Sequence, residues 1–255
     1  MELRVLSYNI HRAIGVDRRF LLRRIAEILA HHNADILLLQ EVDVGVPRSR
    51  RLNLASELAE QLEYPYCAVG LNVKLRTGMY GNATLSRFPI LEKRNIDLTI
   101  GTRKARGCLF TKMELLSSND QKQGLELALF NLHLGLAGKE RVQQLELVIR
   151  SPEFGELSSM NPCMVAGDFN DWRTRLPTSL KENHGFACAN EHSSKKAMRA
   201  TYPSFAPTLA LDKIFYRGRM RVLASRRCRL RVSKVASDHL PVLVDFDISE
   251  VQTSA

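Results

Sequence analysis

The sequence predicts one α/β domain in which two β-sheets pack face to face and helices cover the outside. Many short strand-like segments, few helical ones and the lack of a long linker between them predict this class. The chain has 255 residues, of which 45% are hydrophobic, enough to bury one substantial core. We place this domain at residues 1–248 and assign the polar residues 249–255 to a frayed tail.

The first third of the chain alternates between strands and helices. The segment LRVLSYNIH alternates like a half-buried strand, and ADILLLQEVD is a continuous apolar run of strand length. The helix between them has an apolar stripe of Leu21, Leu22, Ile25, Ile28 and Leu29. The next helix takes its inner edge from Leu54, Leu58 and Leu62.

The middle and last thirds are rich in short strands. Five strand candidates follow the second helix: YPYCAVG, GNATLS, ILEKRNIDL, GCLFTKMEL and LELALFNLHL. A third helix is marked by Val142, Leu145, Val148 and Ile149. The last third supplies three more strands, in PCMVAG, LALDKIFY and SDHLPVLVDFDI.

Several classes of protein do not match the composition. No apolar run approaches the roughly 18 residues of a membrane span, and the first residues lack the features of a signal peptide. We therefore expect a soluble, cytoplasmic protein without a transmembrane segment. Its five cysteines are scattered without a CxxC pair, which predicts neither a zinc site nor a disulfide framework. The pattern leaves the oligomeric state open.

The charge points to a class of partner. A formal net charge of +10 favours nucleic acid or anionic lipid, although it serves solubility equally well. Residues 217–234 contain eight cations and no acid. Two arginine trios occur there at period two, which predicts that each trio lies on one sheet face; the alternative is a solvated edge strand. The trios are Arg217, Arg219 and Arg221, and Arg227, Arg229 and Arg231.

Polar residues recur where apolar strands end. They are Asn9, Glu41, His133, Asp168, Asn170, Asp212, Asp238 and His239. Any one of them could be a turn former, but several carboxylates in one cleft would repel each other unless a cation lay among them. Oxygen donors without a Cys/His set favour Mg²⁺ or Mn²⁺ over zinc. We predict Glu41 as the first ligand, with Asn9 assisting.

The histidines need a partner that fixes their orientation. Consecutive side chains of an extended segment point to opposite faces, so Asp238 is a poor partner for its neighbour His239. We predict that Asp212 orients His239, which leaves Asp238 free to face the metal. The alternative for His133 and His239 is a satisfied, half-buried structural histidine.

Seven motifs occur in the order and spacing of a known superfamily. They are SYNIH, LQEVD, GNATLSRFP, NLHLG, GDFN, LDKIFY and SDHLPV. With them the chain resembles the endonuclease/exonuclease/phosphatase superfamily, the fold of pancreatic deoxyribonuclease, in its bacterial phosphodiesterase-like branch. The resemblance implies a four-layer α/β sandwich, with residues 1–248 as its catalytic domain and the site at one edge of the sheets.

The resemblance also implies roles for the acidic end of the site. Glu41, with Asn9 and Asp238, would hold Mg²⁺. Asp168 would orient or deprotonate the attacking water. Phosphoryl cleavage by water suits these residues because it needs neutralised charge and in-line positioning more than a protein nucleophile.

Further implied roles concern the phosphate and the leaving group. Asn170 would bind the phosphate, and His239, held by Asp212, would stabilise the transition state or protonate the leaving oxygen. His133 would face the phosphate as a second histidine. Asn82 occupies the place of a residue that supports it, and Arg106 would contact the substrate.

These roles predict a Mg²⁺-dependent phosphodiesterase, with DNA or RNA as the substrate favoured by the charge. QEVD in place of a QETK-like motif disfavours the abasic endonucleases, and the lack of a PAWCDR-like stretch disfavours inositol polyphosphate 5-phosphatases. Two alternatives stay open. One is a phosphodiesterase of lipid head groups, like sphingomyelinase, and the other is a non-catalytic binding module.

Overall fold

The computed structural model describes residues 1–115, 125–172, 176–192 and 199–248. The predicted tail, 249–255, lies outside the described residues. The described strands form two six-stranded sheets with helices outside, as predicted. No helix in these ranges is both long and apolar enough to cross a membrane.

The elements are named in chain order. The strands are β1 (Glu2–Asn9), β2 (Ile36–Val44), β3 (Tyr66–Lys74), β4 (Met79–Ser86), β5 (Ile90–Asp97), β6 (Gly107–Leu115), β7 (Leu125–His133), β8 (Cys163–Asp168), β9 (Ala187–Cys188), β10 (Asp212–Arg217), β11 (Met220–Arg227) and β12 (Val242–Ile248). The α-helices are α1 (Leu22–His32), α2 (Leu54–Gln61), α3 (Gly138–Ile149), α4 (Pro152–Gly155), α5 (Pro177–His184) and α6 (Ser233–Ala236). Short 3-10 helices cover His11–Ala13, Pro47–Ser49 and Ala189–His192.

The two sheets repeat one arrangement, which fixes the position of the site. The first sheet has the order β11-β12-β1-β2-β4-β3, and the second has β5-β6-β7-β8-β10-β9. Each has one parallel pair at its centre, β1 with β2 and β7 with β8. The antiparallel neighbours β12 and β10 begin where β1 and β8 end. Four carboxyl ends and two amino ends therefore meet at one edge of the sandwich.

Three apolar clusters separate the four layers. Val5 and Leu38 of the first sheet pack with Leu129 and Met164 of the second, between the sheets. Helices α1 and α2 cover the outer face of the first sheet, and α3, α4 and α5 cover the second. A continuous apolar strand is therefore buried on both faces, which explains the run in ADILLLQEVD.

The helical stripes place most residues as the period predicts. Ile25, Ile28 and Leu29 of α1 are fully buried, and Asn33 ends the helix in a left-handed conformation. In α3, Leu145 is buried, but Val142 is 49% exposed. The prediction that Val142 faces the core is wrong. The inward face of α3 instead carries Arg141 and Gln144, which form hydrogen bonds with the loop before the helix.

Buried amides tie the sheets together behind the site. Asn131 donates from Nδ2 to the carbonyls of Leu39 and Ala83 at 3.2 and 2.9 Å, and its Oδ1 accepts from Gln40 at 2.8 Å. Asn82 likewise donates to the carbonyls of Gly107 and Asn131, both at 3.0 Å. Its amide therefore holds the two sheets together, and its support of His133 stays a prediction.

The arginine trios of 217–234 do not lie on common faces. Arg217 ends β10 in the second sheet, and Arg221 belongs to β11 in the first. Gly218 separates them at φ +84°, where a Cβ would meet the Asn161 carbonyl at 2.3 Å. The strand β11 ends at Arg227, before the rest of the second trio. The period-two prediction is wrong because a turn and a strand end interrupt the alternation.

Candidate active site

The predicted site residues come from the strand ends at one edge. Asn9 ends β1 and lies beside Gln40 of β2 in register, so that Glu41 follows directly. His133 ends β7 opposite Asp168, and Asp168 is in turn opposite Asp212 at the start of β10. Backbone pairing therefore brings together side chains that are more than 200 residues apart along the chain.

Asp168 lies at the centre of the cluster and is buried. Its Oδ2 accepts from Asn9 Nδ2 at 3.1 Å and lies 3.4 Å from His133 Nε2 and 3.7 Å from His239 Nε2. Its Oδ1 accepts from the Asn170 backbone N–H at 2.9 Å. The carboxylate is thereby fixed in orientation while facing two imidazole rings.

The His239 ring is fixed from its other side by Asp212. Its Nδ1 lies 2.8 Å from Asp212 Oδ2, which also accepts from Thr201 Oγ1 at 2.5 Å. The His239 backbone N–H donates to Ser237 Oγ at 3.1 Å, and that hydroxyl donates to the Asn9 carbonyl at 2.7 Å. Nε2 is therefore directed toward Asp168, as an oriented acid requires.

The two histidines are driven toward opposite charge states. Burial opposes a charged His239 ring, but Asp212 and Asp168 outweigh it and raise the pKa of His239 to about 10. Burial, together with Arg106 and His239, lowers the pKa of His133 well below its ordinary value. Burial raises the pKa of Asp168 to about 6, against the attraction of His239. At neutral pH, Asp168 is ionised, His239 is protonated and His133 is neutral.

These charges make stability depend on pH. A folded pKa of about 10 for His239, against 6.5 unfolded, gives a stabilisation that is full below pH 6.5 and lost as the pH rises toward 10. We expect the unfolding free energy of the metal-free protein to fall across that window. Urea denaturation in EDTA at a series of pH values measures it. In His239→Gln the fall should be shallower, and equal slopes in both proteins would contradict the assigned charge.

The predicted metal donors Glu41, Asn9 and Asp238 carry hard oxygen atoms, of which Asn9 Oδ1 already accepts from the His11 backbone N–H at 3.0 Å. Glu41 adopts φ +56°, and its side chain is 16% exposed. Arg12 Nε lies 3.1 Å from its carboxylate without hydrogen-bond geometry. Asp238 is 34% exposed, with His11 Nδ1 at 3.8 Å. Carboxylate and amide oxygens are donors that fit Mg²⁺, and Arg12 is the counter-charge of Glu41.

A different trio has the tightest ligand spacing. Potential ligand atoms of Asp168, Asp212 and His239 lie within 4.8 Å of one another. His239 carries a proton on both nitrogens at neutral pH, since it is a cation between two carboxylates. The proton on His239 competes with a metal for the ring nitrogen, so we predict acid–base roles for this trio and keep Glu41 as the predicted ligand.

Arg106 lines a narrow cleft beside His133. Its side chain is 7% exposed, its Nε has no hydrogen-bond partner, and it forms no ion pair with any described residue. Asn82 and Tyr80 line the same cleft. Asn170, at φ +49°, donates from Nδ2 to the Leu134 carbonyl at 3.0 Å and retains a second amide hydrogen. An unpaired buried guanidinium is suited to an anionic substrate.

The second carboxylate of GDFND has a role that the sequence did not indicate. Asp171 is buried, with Lys213 Nζ at 3.2 Å and Arg141 Nη2 at 3.7 Å. This ion-pair network anchors the segment after Asp168 to β10 and α3. Thr201 and Ser237 also escaped sequence reasoning, because a hydroxyl in a loop carries no pattern that separates a support residue from a turn former.

Comparisons with known proteins agree with this geometry. The model of the family described as "Endonuclease/Exonuclease/phosphatase family" matches residues 6–239. The protein YbhP of Escherichia coli strain K12, which is described as uncharacterized, is 29% identical over 255 residues, with 97% of each chain covered. A family protein from Beutenbergia cavernae has a TM-score of 0.77 at 21% identity, covering 100% of this chain and 73% of that one.

Two further solved structures share the fold. Danio rerio TDP2, complexed with a single-strand DNA product, has a TM-score of 0.72 at 18% identity, covering 96% and 99% of the chains. The mannosyl-6-phosphatase Bt3783 of Bacteroides thetaiotaomicron has a TM-score of 0.70 at 21% identity, covering 96% of this chain and 100% of that one. From the family match and the strand-end cluster, the chain belongs to the endonuclease/exonuclease/phosphatase family of phosphoric ester hydrolases.

Proposed function

We propose that this protein is a Mg²⁺- or Mn²⁺-dependent phosphodiesterase that cleaves nucleic acid. One observation carries the proposal: Asp168 lies between Asn9, neutral His133 and protonated His239, and Asp212 holds His239 at 2.8 Å. Hydrolysis by water requires a base that takes a proton from the water and an acid that protonates the leaving oxygen. Asp168 is the proposed base and His239 is the proposed acid. The serine at this cluster, Ser237, is buried and donates its hydroxyl to the Asn9 carbonyl at 2.7 Å, so we assign the nucleophile to water.

Asp168 acts on the attacking water. It is ionised at neutral pH, and its raised pKa of about 6 makes it a stronger base than an ordinary aspartate. The water oxygen forms a bond to phosphorus as Asp168 takes a water proton. The bond from phosphorus to the leaving oxygen breaks, and that oxygen receives the Nε2 proton of His239. Asp212 stabilises the imidazolium until the proton is transferred.

The phosphate is held from the opposite side of the cleft. Arg106 supplies a positive charge, and Asn170 and His133 supply donors to its non-bridging oxygens. Glu41, with Asn9 and Asp238, would hold the divalent cation, which would supply neutralisation of the phosphate charge when bound.

Charge favours nucleic acid over other phosphoesters. The net charge of +10 raises the local concentration of polyanions, and one solved protein of this fold is bound to a single-strand DNA product. The mannosyl-6-phosphatase of the same fold shows that the scaffold also carries monoester chemistry. The substrate assignment therefore depends on charge and needs a direct comparison of substrates.

That comparison uses purified protein with Mg²⁺ or Mn²⁺, and EDTA as the control. The substrates are plasmid, single-stranded DNA, RNA, bis(p-nitrophenyl) phosphate, p-nitrophenyl phosphate and sphingomyelin vesicles. We expect cleavage of the small diester and of at least one nucleic acid. Hydrolysis of the diester without any nucleic acid would remove the nuclease assignment, and inactivity on every substrate would favour a binding module.

Metal binding gives a separate prediction. Glu41→Gln keeps the size of the side chain but removes its charge, so we expect Mn²⁺ binding to weaken by about 10- to 100-fold, as loss of one of few charged ligands implies. Isothermal titration calorimetry of the free protein measures it. Glu57→Gln, on the exposed surface of α2, is the matched control. Equal Mn²⁺ affinity in wild type and Glu41→Gln would place the metal elsewhere.

A further inference from the structure

Two aromatic side chains are exposed on segments that are bonded to residues of the catalytic cluster. Trp172 is 51% exposed and Phe205 is 63% exposed. In the part of the chain that the structure describes, the one other exposed Phe, Tyr or Trp is Tyr66. Two of these three exposed rings therefore belong to the surroundings of the active site, although they come from separate loops.

Backbone contacts fix the position of Trp172 beside the predicted phosphate donor. Its N–H donates to the Asn170 carbonyl at 3.2 Å. The residue before it, Asp171, is buried and pairs with Lys213 Nζ at 3.2 Å. The backbone of this segment is therefore anchored to β10, while the indole two residues after Asn170 is left in contact with solvent.

A tight turn presents Phe205 beside the proposed acid. The Ala206 N–H donates to the Pro203 carbonyl at 3.1 Å, so Ser204 and Phe205 are the two central residues of a β-turn. Ser204 is buried, and its N–H donates at 2.8 Å to the carbonyl of Asp238, the residue before the proposed acid. The turn is thus held against the site through Ser204, and the phenyl ring of Phe205 stays exposed.

The chemistry around the two rings favours the bases of an unpaired strand as their ligand. Arg106 is buried with an unpartnered Nε, and it is suited to a phosphate in the cleft. A polynucleotide whose phosphate lies there carries bases on the nucleotides before and after it. Aromatic side chains stack on any base, because every base has a π-face. In a duplex those faces are covered by the neighbouring base pairs.

We propose that Trp172 and Phe205 stack on unpaired bases of a single-stranded nucleic acid whose phosphate lies in the active site. The inference rests on the proposed function and narrows its substrate class to single strands. Stacking needs neither a metal nor a proton transfer. Binding through the two rings can therefore be measured without hydrolysis.

The fluorescence of Trp172 reports the contact directly, because it is the one tryptophan of the chain. We titrate the protein in EDTA, at one salt concentration, with oligo(dT), with an abasic oligonucleotide of the same length, and with the oligo(dT)·oligo(dA) duplex. The abasic strand keeps the phosphates but lacks the bases. We expect oligo(dT) to quench the emission and the other two ligands to quench it much less. Equal quenching by all three would overturn the inference.

Variants test each ring separately by fluorescence anisotropy of labelled oligo(dT) in EDTA. Trp172→Ala and Phe205→Ala should each weaken binding by roughly 5- to 150-fold, the range for loss of one base–aromatic stack. Trp172→Phe keeps a ring and should restore most of the affinity.

The matched control for these variants is Tyr66→Ala. Tyr66 pairs through Ser86 with Ile36, at the end of β2 far from Glu41, so it is an exposed ring outside the active site. Tyr66→Ala should bind oligo(dT) with wild-type affinity. Equal affinity in Tyr66→Ala, Trp172→Ala and Phe205→Ala would contradict stacking at the proposed rings.

A lipid surface is the alternative ligand of exposed apolar rings. Vesicles of phosphatidylglycerol are the probe, because insertion of an indole into a bilayer shifts its emission to shorter wavelength. We expect no shift with the vesicles. A shift with vesicles, without quenching by oligo(dT), would assign the rings to a membrane and overturn the inference.

Hydrolysis in Mg²⁺ or Mn²⁺ separates this inference from the proposed function. We expect a higher kcat/KM on a single strand than on its duplex, and Phe205→Ala should raise KM on the single strand more than it lowers kcat. Quenching by oligo(dT) without hydrolysis of any nucleic acid would refute the proposed function and support the stacking. Equal kcat/KM on the single strand and the duplex would support the proposed function and overturn the inference.

Discussion

Asp168→Asn should lower kcat on bis(p-nitrophenyl) phosphate by about 10³-fold, within the range of a lost general base. Asparagine has the size of the native side chain and can still accept from the Asn170 backbone N–H, so the fold should persist. It cannot accept a proton from water, and it removes the negative charge that faces His239. Steady-state kinetics at saturating Mg²⁺ measure the loss.

The control separates chemistry from damage to the protein. Asp17→Asn changes an exposed carboxylate that pairs with Arg24 and should leave kcat unchanged. A near-wild-type melting temperature and Mn²⁺ affinity in Asp168→Asn would show that the site is intact. If that intact variant keeps more than about a tenth of the wild-type kcat, Asp168 is not the base.

His239→Gln and Asp212→Asn should each lower kcat by about 10² to 10⁴-fold on nucleic acid, as expected for an acid and the group that orients it. Asp212 acts only by orienting His239 and stabilising its proton, so the double variant should have a kcat little lower than that of His239→Gln alone. The effect should also depend on the leaving group. p-Nitrophenolate leaves without protonation, so the loss on bis(p-nitrophenyl) phosphate should be smaller than on an oligonucleotide.

The same comparison tests the alternative role for His239. If its ring only stabilised charge on the phosphate, the loss would be equal for good and poor leaving groups. Additive losses in the double variant would indicate two independent roles for Asp212 and His239. Thr201→Val removes the hydroxyl that donates to Asp212. We expect a loss of kcat smaller than that of Asp212→Asn, because Thr201 positions Asp212 and does not contact the substrate.

The order of the elements follows from local patterns. Strand β1 was predicted from the alternation in LRVLSYNIH, because a half-buried strand has a two-residue period. Strands β2 and β8 were predicted from the apolar runs in ADILLLQEVD and PCMVAG, because a strand that is buried on both faces is apolar throughout. Short elements were missed. Helices α4 and α6 have four residues each, too few for a helical period to emerge.

The pairing of His239 with Asp212 illustrates a contact that sequence could suggest and structure had to place. Alternation along an extended chain excluded Asp238 as the partner, and the structure puts the Asp212 carboxylate 2.8 Å from the ring. Asn82 shows the reverse. Two carbonyls of the facing sheet accept its amide hydrogens, a contact that its motif did not suggest. Contacts between sheets have no local signature.

Local patterns in the sequence were enough to predict helices α1 to α3, strands β1 to β8, β10 and β12, the family resemblance and the polar residues at the strand ends. These features depend on periodicity and on residues that lie close together along the chain. The tertiary structure alone decided which side chains share protons, that Asp171 is an anchor joined to Lys213, and that the arginines of 217–231 divide between two sheets. The reason is physical: charge states and contacts depend on burial and on distances across the sandwich, which residue spacing does not contain.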